Sequence, residues 1–246
     1  MFKDKSTYYE LYRPNYPHSI VIFLKEKKLL MNDDLVAEVG SGTGKLTTLI
    51  LKQGNQVYGV EKDKGMQDFL EKRFQGNKNF TLVKKTAENT GLPAKKFDLL
   101  VAAQSFHLFN PIESKEEFYR IVKNNGKMVF IWYHWDTKQE VCQKIQKLFY
   151  TFGERQQQKE RTRIGLDFFN KLFYPNTIEH SVVDTIKQKL SKEEFINSML
   201  SSSYATTTNN NLHIEYLREI EDIFNCCEKF GYIEYSFTLE VYFLKL

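Results

Sequence analysis

The stretch Glu38-Val39-Gly40-Ser41-Gly42-Thr43-Gly44 holds the residues best suited to chemistry in this 246-residue chain. Glycines at alternate positions let a backbone turn through positive φ angles and come close to a ligand. Glu38 stands just before them, where it would repel a phosphate and favour a cation. The spacing also departs from the dinucleotide fingerprint Gly-x-Gly-x-x-Gly, because Lys45 occupies the place of its third glycine. A second acid, Glu61, closes Val57-Tyr58-Gly59-Val60-Glu61 about 20 residues past the first glycine, where an acid bonds ribose hydroxyls. Taken singly, these are an ordinary tight turn and a solvated acid. Together, in this order and at this separation, they point to a nucleoside-like ligand that carries positive charge. His107 is the candidate base or acceptor-positioning residue, since histidine titrates near neutrality. A histidine hydrogen-bonded within its own loop fits the sequence equally well. Trp132, Tyr133, His134 and Trp135 could line an acceptor pocket or serve as core and rim packing.

Those residues need strand ends and helix starts to hold them. The first two-thirds of the chain alternate short β-branched runs with amphipathic stretches, the pattern of a parallel sheet with helices on both faces. Strands are predicted over Leu35–Val39, Gln56–Val60, Phe80–Lys84, Phe97–Ala102 and Lys127–Trp132. The first helix runs from the glycine turn to about Gln53, with Gly54 as its cap, and a second spans Met66–Phe74. Ser114-Lys115-Glu116-Glu117 and Ser191-Lys192-Glu193-Glu194 read as capping boxes that each open a helix. Later elements are helical Lys138–Phe152, a polar connector at Gln156–Arg163, a strand at Val182–Leu190, a helix over His213–Phe230 and a last strand at Ile233–Leu244.

Composition sets the outer bounds. Hydrophobic residues make up 41% and charged residues 27%, so the chain is globular and not disordered. The 20 Phe predict a phenylalanine-rich core. The net charge of +4 is spread thinly, without the clustered basic stripe of a nucleic-acid footprint. The polar opening Met1-Phe2-Lys3-Asp4-Lys5-Ser6 predicts no secretory leader, and no apolar run approaches the length of a membrane span. Cys142, Cys226 and Cys227 have no metal-ligand spacing and are expected as reduced, buried helix-face thiols in a cytoplasmic protein, with no metal bound.

The glycine segment resembles motif I of class I S-adenosylmethionine-dependent methyltransferases. The likeness extends through Glu61, Phe97-Asp98-Leu99-Leu100 and Gly126-Lys127-Met128-Val129. Within that class the chain is most similar to the small-molecule branch that includes trans-aconitate methyltransferase-like proteins. Tyr12-Arg13-Pro14-Asn15-Tyr16-Pro17 and Ala103-Gln104-Ser105-Phe106-His107-Leu108-Phe109 carry that finer likeness. The resemblance implies a Rossmann-like, doubly wound α/β fold with a seven-stranded, mostly parallel sheet and an antiparallel last strand. A helical cover would be inserted in the C-terminal half. One methyltransferase domain over 1–246 is expected: an N-terminal lid or helix at 1–30, a cofactor-binding core at 31–135, the cover and sixth strand at 136–211, and the last helix and strand at 212–246.

The resemblance also implies roles. Gly40, Ser41, Gly42 and Gly44 would pass S-adenosylmethionine, with Glu38 near its ammonium or sulfonium charge. Glu61 would hold the ribose, and Lys62 and Met66 would flank the adenine. Gln104 and Ser105 would offer backbone groups beside the methionine moiety. Tyr8, Tyr12 and Arg13 would close over it. Apart from the resemblance, Ser201-Ser202-Ser203-Tyr204 follows the helix opened at Ser191 and reads either as a lid from the other side or as a solvated loop. Thr86 and Ala87 stand at the adenine contact, where similar proteins often carry Asp before Ala-Glu, so Thr86 departs from the pattern. The acceptor would be a small molecule, methylated by in-line displacement, which asks mainly for alignment. No Asn/Asp-Pro-Pro-aromatic motif and no Pro-Cys nucleophile occurs, which argues against nucleic-acid methylation. No nucleic-acid or membrane partner is expected, and the protein would be a monomer or homodimer. The rival is a protein that binds the cofactor or its demethylated product without transferring a methyl group; a nicotinamide-dependent oxidoreductase is disfavoured by Lys45.

Overall fold

A computed structural model describes residues 5–152, 164–202, 205–206 and 211–246. The expected connector at Gln156–Arg163 and the Ser203-Tyr204 half of the serine segment lie outside the described residues, as do the first four residues. The elements run α1 (Lys5–Tyr12), α2 (Ser19–Glu26), β1 (Leu35–Val39), α3 (Lys45–Leu51), β2 (Gln56–Val60), α4 (Lys64–Arg73), β3 (Phe80–Val83), β4 (Phe97–Ala103), a 3-10 turn (Phe106–Leu108), α5 (Pro111–Ile121), β5 (Val122–Trp135), α6 (Glu140–Phe152), α7 (Leu166–Phe173), β6 (Glu179–Ser191), α8 (Lys192–Leu200), α9 (His213–Cys227) and β7 (Tyr232–Lys245).

The strands form one seven-stranded sheet in the order β3-β2-β1-β4-β5-β7-β6. β1 lies between β2 and β4, and the pairs β2–β3, β1–β2, β1–β4 and β4–β5 are all parallel. The Asp136 N–H reaches the Ser236 carbonyl and the Leu246 N–H reaches the Gly126 carbonyl. These bonds run in opposite order along the two strands, so β7 is antiparallel to β5. The doubly wound, mostly parallel fold expected from the sequence is the one observed.

The chain divides into two compact units. The larger takes its described residues from Asn15–Tyr133, Arg163–Asp184 and Leu239–Leu246. Its core packs Ala37, Val39, Leu100, Ala102, Met128 and Phe130 of the central strands against Phe118, Phe169, Phe173 and Tyr242. Phe106 sits at the hub, 5.2 Å from the Phe130 ring and 5.5 Å from Phe169 between centroids. Much of the abundant phenylalanine is therefore spent in packing. The smaller unit draws on Met1–Pro14, His134–Thr162 and Thr185–Thr238. There α1, α6, α8 and α9 pack together around the fully buried Tyr216, whose hydroxyl donates to the Met199 carbonyl at 3.2 Å.

Several local expectations are corrected. Ser114 lies inside α5, which starts earlier: Asn110 is the N-cap, accepting from the Ile112 and Glu113 N–H groups, and Pro111 follows in the first turn. An Asn-Pro pair fixes a helix start more firmly than the serine, whose hydroxyl instead donates back to the Asn110 carbonyl. The second capping box is real, with Ser191 and Glu194 each bonded to the other's backbone. α9 stops at Cys227, and Phe230-Gly231 form a tight turn with φ of 55° and 80°. Cys142 is buried as expected, whereas Cys226 is exposed near the helix end; all three thiols are free.

Candidate functional site

The site lies at the carboxyl edge of the larger unit's central strands, where open α/β sheets bind ligands. The chain leaves β1 at Val39 and turns through Gly40, Gly42 and Gly44, with φ of 71°, 58° and 84°. Only glycine takes such angles readily, which explains the alternate spacing. The N–H groups of Gly40 and Ser41 both donate to the Val60 carbonyl, at 2.8 and 3.2 Å, hanging the loop from the end of β2. Gly44 is the left-handed N-cap of α3. The glycines also serve the protein's own packing. A Cβ on Gly40 would lie 2.5 Å from the Ser105 Cβ, and one on Gly44 would lie 2.6 Å from the Phe74 ring.

Glu61 ties the glycine loop to the turn after β2. One carboxylate oxygen accepts from the Gly42 N–H at 2.9 Å and the other from the Asp63 N–H at 2.8 Å. Burial pushes its carboxyl above the usual range, an effect that the Asp63 and Gly42 amides only partly offset. Each oxygen retains lone-pair capacity for a hydroxyl donor. Glu38 is 2% exposed on the helix-α3 face of β1 and accepts from the Thr47 hydroxyl at 2.6 Å. Burial pushes its carboxyl up to about 8; the Thr47 bond lowers it somewhat and the neighbouring Glu61 raises it.

Opposite the loop, Gln104 leaves β4 with φ of 54°, an unusual conformation for a residue with a side chain. Its backbone N–H goes to the Ile131 carbonyl at 2.9 Å. The buried atoms Gln104 Nε2, Ser41 Oγ and Thr43 Oγ1 have no hydrogen-bond partner among the described residues. Ser105 donates its hydroxyl to the Val39 carbonyl at 2.9 Å and gives its own carbonyl to Leu108, so it locks the loop more than it faces outward. His107 lies in the 3-10 turn with its ring centroid 5.5 Å from that of Trp132, edge to face.

The residues expected to border an adenine lie on the turn after β2 and the segment after β3. Asp63 caps α4 by accepting from the Met66 N–H, which fixes Met66 half-buried in the first turn beside the exposed Lys62. Ala87 is buried and Thr86 exposed, and the Thr86 side chain hydrogen-bonds Glu88. Sequence reasoning missed the clamp beside the loop. Lys45 Nζ donates to Asn15 Oδ1 at 2.8 Å, the Tyr133 hydroxyl donates to the Asn15 carbonyl at 3.1 Å, and Tyr16 stacks on Tyr133 at 5.4 Å. Lys45, Asn15, Tyr16 and Tyr133 each stood out in the sequence, but nothing there joined them. Tyr8, Tyr12 and Arg13 belong to the smaller unit, where Tyr8 and Tyr12 lie 5.8 Å apart on α1 and Arg13 sits over the Tyr9 ring.

Residues 37–130, which span β1 to the middle of β5, match the family model described as a methyltransferase domain. This segment is similar to methyltransferase domains. An uncharacterised methyltransferase-like protein of Schizosaccharomyces pombe is 31% identical over 148 residues, 60% of this chain and 57% of that protein. A second uncharacterised methyltransferase of the same organism is 33% identical over 132 residues, 53% of this chain and 51% of its own length. The chain thus spans a little over half the length of these curated relatives. Among solved structures, a candidate type II methyltransferase from Anaeromyxobacter dehalogenans superposes with a TM-score of 0.69 at 19% identity, covering 95% of this chain and 97% of that one. The YcgJ protein of Bacillus subtilis gives 0.63 at 14% identity, covering 93% and 97%. At these identities the likeness is one of fold. The matched segment contains the candidate residues from Glu38 to His107. Among the described residues, no group of three or more His, Cys, Asp or Glu could hold a metal, and no helix is long and apolar enough to cross a membrane.

Proposed function

We propose that the carboxyl edge of this domain binds S-adenosylmethionine and directs its methyl group to a small-molecule acceptor. The observation that carries the reading is the Gly42–Glu61 bond, which makes the glycine loop and the ribose acid one structural piece. The residues fit that cofactor. Glu61 offers acceptors to two ribose hydroxyls, Met66 and Lys62 flank the adenine position, and the Ala87 backbone borders it. Glu38 supplies a buried acid for a cationic ligand, and Gln104 presents a buried amide nitrogen without a partner in the protein. The cofactor supplies the activated methyl group. The protein's part is to align the acceptor for in-line displacement, which can account for much of the rate. His107 at the Trp132 edge would orient the acceptor, or take a proton when the acceptor is a neutral hydroxyl or amine.

A second reading has one observation in its favour. Thr86, where similar proteins often carry Asp, turns its side chain to Glu88. A protein that holds the cofactor without transferring a methyl group would tolerate that loss. Thermal-shift measurements with S-adenosylhomocysteine and with NAD test the site: the first should stabilise the protein and the second should not. The reverse result would sink the cofactor assignment. Turnover against carboxylate, hydroxyl and amine acceptors then separates transferase from binder. Nucleic-acid binding with a steep salt dependence would contradict the small-molecule acceptor.

A further inference from the structure

Glu38 sits on β1, an interior strand of the sheet, two residues before the first loop glycine. Parallel pairing sets it beside Gly59 on β2 and Val101 on β4, and Thr47 from α3 covers it. Its surroundings are thus a bare glycine backbone, an aliphatic side chain and one hydroxyl. No cation touches it among the described residues, and the charge that bears on it is another acid, Glu61. Of the charged groups on these elements, Lys45 at the start of α3 bonds Asn15 and Asp98 near the start of β4 pairs with Lys123; on the neighbouring turn Asp63 caps α4. A buried carboxyl with that company is held neutral: burial, with Glu61 adding to it and the Thr47 bond opposing it, places its titration near 8.

We propose that Glu38 distinguishes the methyl donor from its demethylated product by giving up its proton to solvent only when the cationic donor binds. The proposal rests on the cofactor reading above. Donor and product share an ammonium and a carboxylate, whose charges cancel, and they differ by the permanent positive charge of the sulfonium. In a site of low dielectric that single charge strongly favours an ionised Glu38. The O–H bond of the Glu38 carboxyl breaks heterolytically, the electron pair stays on the carboxylate and the proton leaves to buffer; no bond to the ligand forms. Once the methyl group has been transferred the sulfonium charge is gone, Glu38 recovers a proton and the product is held less tightly. By linkage, raising the pH favours donor over product across the range where their complexes differ in bound protons.

Calorimetric titration near neutral pH, run in two buffers of different ionisation enthalpy, counts the protons. S-adenosylmethionine should release up to about one proton per molecule bound, and S-adenosylhomocysteine distinctly fewer. The donor-to-product affinity ratio should rise several-fold between about pH 6 and pH 9. In Glu38→Gln both ligands should still bind, with equal proton counts and a flat ratio. Thr47→Val provides a second arm: removing the hydroxyl that favours the carboxylate should move the rise in the ratio to higher pH. Equal proton counts in the unaltered protein overturn the proposal, as does a difference that persists in Glu38→Gln or a Thr47→Val profile that does not move. If neither ligand binds the unaltered protein, the cofactor reading fails first and takes this inference with it.

Discussion

The two edges of the central strands treat buried acids in opposite ways. At the amino edge, Asp34 accepts from the Lys127 ammonium at 2.6 Å and from the Met31 N–H at 2.8 Å. Asn55 ties the same corner together by donating to the carbonyls of Met31, Asn32 and Asp34. Nearby, Asp98 accepts from Lys123 at 2.6 Å and from the Leu35 N–H at 3.0 Å. Partial burial pushes the Asp98 carboxyl up, but Lys123 and Leu35 outweigh it and hold it below the usual range. At the carboxyl edge Glu38 has a hydroxyl and a second acid for company, Gln104 holds a positive φ, and the buried Ser41, Thr43 and Gln104 atoms lack protein partners. The acids of the amino edge are compensated within the fold, although the buried Asn55 Oδ1 beside them has no partner among the described residues. The carboxyl edge keeps uncompensated polarity and backbone strain, which persist where function requires them.

The sharpest way to break that contrast is to remove compensation from the amino edge. Lys127→Met leaves Asp34 buried without its cation and should cost about 3–5 kcal/mol of stability in urea unfolding. Nucleoside binding by the remaining folded protein should be unchanged. A loss below about 1 kcal/mol would show that this pair behaves as a solvated surface bridge. The opposite edit, Glu38→Gln, should stabilise. The unfolded chain ionises Glu38 near its ordinary value of 4.5, while the folded chain keeps the proton to about 8. The stability tied to that proton is fully present below the lower value and is lost as pH rises through the upper one. The difference between Glu38→Gln and the unaltered protein should therefore be small near pH 4 and grow to the order of a few kcal/mol near pH 8. A difference that stays constant with pH would remove Glu38 from the uncompensated set.

Much of the larger unit was legible because its signals are local. The run Leu99-Leu100-Val101 marks a strand buried on both faces, and the alternate glycines marked the loop whose φ values proved positive. Glu61 stood out by its spacing, but its bond to Gly42 did not, since either residue reads the same without it. The Ser105 side chain that fills the space beside Gly40, and the Lys127 that neutralises Asp34, come from segments far along the chain and leave no periodic trace. The Ser114 misreading has a simpler cause. Two plausible caps stood close together, and the Asn110-Pro111 pair prevailed because proline fixes the first turn without giving up a needed donor.

Calorimetric titration of S-adenosylhomocysteine into the unaltered protein and into Glu61→Gln tests most directly whether this edge is a cofactor site. Glutamine keeps one acceptor oxygen for the loop but places an amide donor against the second backbone N–H and the ribose. The unaltered protein should bind in the micromolar range. Glu61→Gln, with its fold verified by circular dichroism, should lose about 1.5–3 kcal/mol of binding free energy, the scale of a charge-assisted hydrogen bond. Equal affinity in the two proteins would contradict the assignment of this edge to the ribose and, with it, the account of why its polar groups are left uncompensated.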